Sequence, residues 1–191
     1  MRFVSSLGTS QEHLKFEKVR FDATNKKAEY FVKIPSVSST TDTYFYLLYG
    51  RTGALDGSDK TEVYGDEFKA VYHMKDDPDT SHIKDSTING NNGTKKAANE
   101  PIEADGKVEK VQSFDGSNDY IDTFDIPVMS TFSFSSLVKL DTIKDCGIIT
   151  DHKSCYFYPA YFYRIDANGK VSFTKDENEK VDITGISNVS I

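Results

Sequence analysis

The decapeptide TFSFSSLVKL, residues 131–140, constrains the fold more than any other stretch of the chain. Phe132, Phe134, Val138 and Leu140 fall on one face of an extended backbone, and Ser133, Ser135 and Lys139 on the other. Side chains alternate sides along a strand, so this period of two predicts a strand with one face on a core and one in water. Other short runs rich in Tyr, Phe, Val and Ile read as strands too: AEYFVKIP, TYFYLLYG, EFKAVYHM, KVQSFDG, DYIDTF, CGIIT, CYFYPAYFYRID and GKVSFTK. In Glu29–Ile34 and Tyr44–Tyr49 the apolar residues are nearly continuous, which predicts strands covered on both faces. SVSSTTD reads as the turn between those two runs, and DANG as the turn joining the last pair. No segment carries a strong helix signal. Short strands at this spacing predict an all-β, antiparallel sandwich or jelly roll.

Charge narrows the partners. The net charge of −7 comes with basic residues scattered singly or in pairs, which argues against nucleic acid, because neutralising a phosphate backbone needs clustered positive charge. No apolar run reaches half a membrane span, and MRFVSSLG is too short for a signal-peptide core, so membrane insertion is not expected and any export signal lies elsewhere. Cys146 and Cys155 bracket CGIITDHKSC. A hairpin turning near Thr150 and Asp151 would set them opposite one another at disulfide distance, while the alternative is two buried thiols.

The loop DSTINGNNGT, residues 85–94, raises the question of chemistry. Its Asn and Asp residues tolerate left-handed backbone and bond their own main chain, so a hydrogen-bonded corner explains it. The functional alternative is calcium, a hard cation that takes six to eight oxygens: Asp85, Asn89 and Asn91 would supply some, and Asp115 and Asp119 of FDGSNDY others. FDGSNDY also reads as a simple turn. Catalysis is not expected. Glycoside hydrolysis needs paired carboxylates on one strand face, and the Glu-x-Asp-x-x-Glu pattern is absent; DENE, residues 176–179, reads as a solvated turn. The four His form no Ser-His-Asp set: His73 reads as a packed side chain, and His82 and His152 fall in polar loops without a second metal-spaced His or Cys. Tyr156, Tyr158, Tyr161 and Tyr163 form an aromatic belt that either stacks on sugar rings or fills a core, with Pro159 suggesting a bulge or edge. Asn92 and Asn188 lie in glycosylation sequons, which matter only in a secretory setting.

Four ordered motifs between Ala70 and Leu140, AVYHM, DSTINGNNGT, ADGKVEKVQSFDGSNDYI and TFSFSSLVKL, resemble the opening half of a concanavalin A-like, laminin-G-like jelly roll. The family's Trp in the last strand is Leu137 here. Upstream, VKIPSVSSTTDTYFYLLYG is similar to the second half of an uncharacterised β-sandwich family that often precedes such jelly rolls in archaeal, bacterial and phage surface proteins. The resemblance implies a β-rich segment at 1–65 and a jelly-roll domain at 66–191 that stops before the family's later strands. It also implies a non-catalytic binding module outside the cell, on a cell surface or a virion, recognising carbohydrate or a protein surface, with calcium as its candidate cofactor. A structural coat, fibre or adhesin spacer acting through subunit contacts, and so forming homo-oligomers or larger assemblies, is the alternative. Read as two adjoining half-domains, the chain would expose sheet edges, to be covered by the other segment or by another subunit.

Overall fold

A computed structural model describes residues 1–9, 11–96, 101–124, 131–150, 161–175 and 180–181. They divide into two compact units, Met1–Phe124 and Asp125–Ile191. The fold is all-β, and every strand pair is antiparallel.

The first unit contains β1 (Arg2–Val4), β2 (His13–Leu14), β3 (Phe16–Asp22), β4 (Lys27–Val32) and β5 (Tyr46–Leu48). A single 3₁₀ turn, Lys60–Glu62, follows, capped by the Asp59 carboxylate, which accepts from the Thr61 amide. Then come β6 (Tyr72–Asp76), β7 (His82–Asp85), β8 (Gly93–Lys95), β9 (Ile102–Asp105), β10 (Lys110–Ser113) and β11 (Ile121–Asp122). Their sheets run β2-β1-β5, β3-β4, β11-β8-β7-β6 and β10-β9. Phe3, Leu14 and Phe16 are buried together, with Tyr30, Val32 and Ile34 packed on them. The rings meet edge to face: Phe3 lies 5.1 Å from Phe16 and 5.4 Å from Tyr30 between centroids, a favoured aromatic geometry.

The run SVSSTTD is a turn, as its hydroxyl content predicts: Ser38 Oγ accepts from the amides of Thr40 and Thr41. It does not join a hairpin, because β4 pairs with β3 whereas β5 pairs with β1. Nor is the Tyr44–Tyr49 run covered on both faces. Tyr44 and Tyr49 are 69% and 77% exposed and flank β5, which is the last strand of its sheet among the described residues.

The second unit contains β12 (Cys146–Thr150), β13 (Tyr161–Ile165), β14 (Val171–Lys175) and β15 (Lys180–Val181), paired in that order. The DANG turn between β13 and β14 forms as expected: Asp166 Oδ1 accepts from the amides of Asn168 and Lys170, and Gly169 takes a left-handed φ of +76°. The ladder partner of Cys146 is Ile165, across β12–β13, and the cysteine hairpin expected from the sequence rests on Cys155, which lies outside the described residues.

TFSFSSLVKL departs furthest from expectation. No strand is assigned over residues 131–140. Phe132 and Phe134 are half-buried, with their rings 5.2 and 6.2 Å from that of Phe173, while Thr131, Ser133 and Ser135 are exposed. The alternation therefore operates at its first residues, but Val138, expected on the core face, is 40% exposed and the segment joins no ladder among the described residues. Hydrophobic period two fixes which way side chains face in an extended chain; a strand also needs backbone partners.

Candidate functional site

The loop 85–94 is a corner built around one carboxylate. Asp85 is 2% exposed. Its Oδ1 accepts from the amides of Val71 and Thr87, both at 2.9 Å, and its Oδ2 from Thr87 Oγ1 at 2.6 Å and the Asn91 amide at 2.9 Å. Burial pushes the Asp85 carboxyl up, and the hydrogen bonds from Thr87, Val71 and Asn91 outweigh it, holding its pKa below the usual carboxylate value. Asn89 and Asn91 donate their side-chain amides to the carbonyl of Lys69, and Asn89 also to that of Phe68. Gly90 supplies the left-handed residue, at φ +66°. Gly93 serves packing instead: a Cβ there would lie 2.7 Å from Ile83 Cγ1 and 2.8 Å from Ile121 Cγ2.

Of the other expected metal ligands, Asp115 and Asp119 close a separate turn. Asp119 Oδ2 accepts from the Asp115 amide, and Asp115 Oδ1 from the Ser117 amide. Among the described residues no three His, Cys, Asp or Glu side chains are grouped so as to hold a metal ion. In the aromatic belt, Tyr161 and Tyr163 belong to β13, and Tyr163 is half-buried opposite Phe173. Tyr156, Tyr158, Pro159, Cys155, His152, the DENE stretch and Asn188 lie outside the described residues.

Sequence reasoning missed a buried cluster around Glu17, on β3. Glu17 is 6% exposed, and its carboxylate accepts from Ser86 Oγ at 2.7 Å, His73 Nε2 at 2.8 Å and Tyr64 OH at 3.0 Å. His73 stacks on Phe31, 5.0 Å between centroids. Burial pushes the Glu17 carboxyl up, and the donors His73, Ser86 and Tyr64 together bring it below its ordinary value. Both Ser86 and His73 donate to the carboxylate rather than Ser86 to His73, so the set contains no hydroxyl activated by a base. A second buried cluster joins β6, β8 and β10. Lys95 Nζ pairs with the Asp76 carboxylate and donates to the Pro101 carbonyl, and Gln112 Nε2 donates to Asp76 Oδ1 and the Met74 carbonyl. These carboxylates tie strands together. Separations of 56 and 69 residues from Glu17 to His73 and Ser86 left no local signal to read.

Alongside its polar surface the first unit leaves an apolar stretch outward. Tyr44, Phe45, Tyr46, Leu47 and Tyr49 are all exposed, along and beside β5. Phe45 is anchored to the core, 6.2 Å from the Phe3 ring. Next to it lies an open depression of about 230 Å³ lined by Leu14, Ile34, Pro35, Tyr44 and Phe45, with Glu12 among its polar residues.

Residues 1–89 match a family described as a domain of unknown function, DUF2341. No curated protein matches. Among solved structures, the chain is similar to the 2.1 Å crystal structure of an S-layer domain-containing protein (residues 221–444) from Clostridium thermocellum ATCC 27405, with a TM-score of 0.52 and 23% identity. The likeness covers 63% of this chain and 58% of that one, and at this identity it concerns the fold. The matched family spans Glu17, His73, Ser86 and the whole β5 region.

Proposed function

We propose that this chain is a non-catalytic module of a cell-surface protein that works by contact, through the aromatic edge around β5. The observation that carries the reading is the contrast within the first unit: Asp85 and Glu17 are buried and filled with internal donors, whereas five consecutive-region apolar residues, Tyr44, Phe45, Tyr46, Leu47 and Tyr49, face outward. Contiguous exposed apolar surface marks interaction sites. The similar solved structure is that of an S-layer domain-containing protein, which supports the surface setting. The jelly-roll connectivity and the division near residue 65 expected from the sequence belong to this proposal as well.

Carbohydrate is a second reading of the same surface, favoured by the exposure of Tyr44 and Tyr49, since tyrosine rings stack on sugar faces. Calcium would assist it only by displacing donors from Asp85 or by engaging Asp115 and Asp119. A glycan array with calcium and with EDTA, repeated on Tyr44→Ser/Tyr49→Ser, tests both. Binding lost in the variant supports the sugar reading, and loss in EDTA adds the metal. Silence of the folded protein on every glycan leaves protein contact as the function of the edge.

A further inference from the structure

β5 ends its sheet, and its outer edge has no ladder partner among the described residues. Free N–H and C=O groups on an edge template further pairing, so stable proteins blunt edges with very short strands, Lys, Pro, bulges or a covering segment. Of these devices β5 has its shortness, three residues, and not Lys, Pro or a bulge: Thr43–Gly50 reads TYFYLLYG, without charge or proline in a chain of net charge −7, and β5 runs against β1 without a bulge. The exposed apolar side chains on and beside this strand are what a partner would cover.

The charges that bracket it identify the cover. Asp42 stands immediately before the uncharged run and Arg51 immediately after it, and both are exposed. Antiparallel pairing of two copies about a two-fold axis at Tyr46 or Leu47 brings the Asp42 end of each copy to the Arg51 end of the other, both charges lying outside the strand and Arg51 following Gly50 at φ +85°. Symmetry makes that contact twice. Parallel pairing would instead set Asp42 against Asp42 and Arg51 against Arg51. Between the charged ends the apolar side chains meet their own kind, as a self-complementary interface requires.

We propose that two copies of this chain associate by antiparallel pairing of β5, with Asp42 and Arg51 closing the two ends. The proposal deepens the contact reading above by naming the partner as a second copy. Sedimentation velocity over a concentration series tests it on the whole chain, as wild type, Arg51→Asp, Asp42→Arg and the double exchange Asp42→Arg/Arg51→Asp. A reversible dimer is expected. Each single reversal replaces two attractive contacts by two repulsive ones and weakens it on the order of tenfold, and the double exchange restores it. Because both residues are exposed, all four proteins should melt alike at concentrations low enough to keep them monomeric, which separates a lost interface from a lost fold. A monomer at every concentration overturns the pairing, as does a dimer of equal affinity in all four proteins. A monomer that still binds glycan through Tyr44 and Tyr49 overturns the pairing alone and leaves the contact reading standing.

Discussion

Glu17→Gln is the sharpest probe of how the first unit is held together. The substitution keeps the size of the side chain but removes its charge and turns one acceptor into a donor. Three groups then lose a charged acceptor: Ser86 Oγ, on Oε1, and His73 Nε2 and Tyr64 OH, both on Oε2, all within 3.0 Å of the carboxylate. Hydrogen bonds to a charged group are worth about 1.5–3 kcal/mol each, and stranding a buried donor costs about 1–3 kcal/mol. The amide oxygen, with two lone pairs, can still accept from His73 and Tyr64 but leaves Ser86 facing a donor, so the weakened pair and the lost bond together cost about 3 kcal/mol. For a unit of this size that corresponds to a fall in Tm of roughly 10 °C. The pH dependence gives an independent check. Because the folded carboxyl titrates below the ordinary glutamate value of 4.5, its contribution is fully present above that pH and fades as pH falls through the folded value. Differential scanning calorimetry at pH 7 and at pH 3 should therefore find a wide gap between wild type and variant at pH 7 and a narrower one at pH 3. A variant within about 2 °C of wild type at pH 7 would refute the claim that this carboxylate ties β3 to the segments bearing Tyr64, His73 and Ser86.

Other substitutions test neighbouring parts of the account. Gly93→Ala places a methyl group against Ile83 and Ile121, and should cost about 1–3 kcal/mol in denaturant titrations through overpacking. Asp85→Ala strands four donors and should destabilise the first unit by about 3 kcal/mol, equally in calcium and in EDTA if the loop is a corner alone. Asp166→Ala removes the acceptor of two turn amides and should cost about 1 kcal/mol, read in the second unit's exchange of the Asn168 and Lys170 amides.

The fold class was legible because strand propensity and turn chemistry are local properties, and the SVSSTTD and DANG turns form where the residues place them. The corner at Asp85 was legible for the same reason: Asp and Asn bond the backbone a few residues away. Two readings failed where the deciding partner is distant. TFSFSSLVKL keeps its alternation at Phe132 and Phe134 without a ladder, since composition carries no information on which backbone lies alongside. The Tyr44–Tyr49 run looked like an interior strand, and its apolar character is real; Tyr46–Leu48 alone form a strand, at the end of a sheet, and Tyr44, Phe45, Tyr46, Leu47 and Tyr49 stay exposed. The misreading is itself informative, because a stretch with an interior composition at an exposed edge is the feature on which the functional reading rests. The Glu17 cluster had no local pattern at all, as it joins four segments far apart in the chain.

The central claim is that the β5 edge is a contact surface covered by a second copy, and amide hydrogen exchange followed by mass spectrometry tests it at the strand itself. Exchange of residues 43–50 should slow as the protein concentration is raised, while peptides covering β3, β7 and β14 exchange at unchanged rates. Exchange of residues 43–50 that is independent of concentration, or protection that appears on another segment instead, would contradict it.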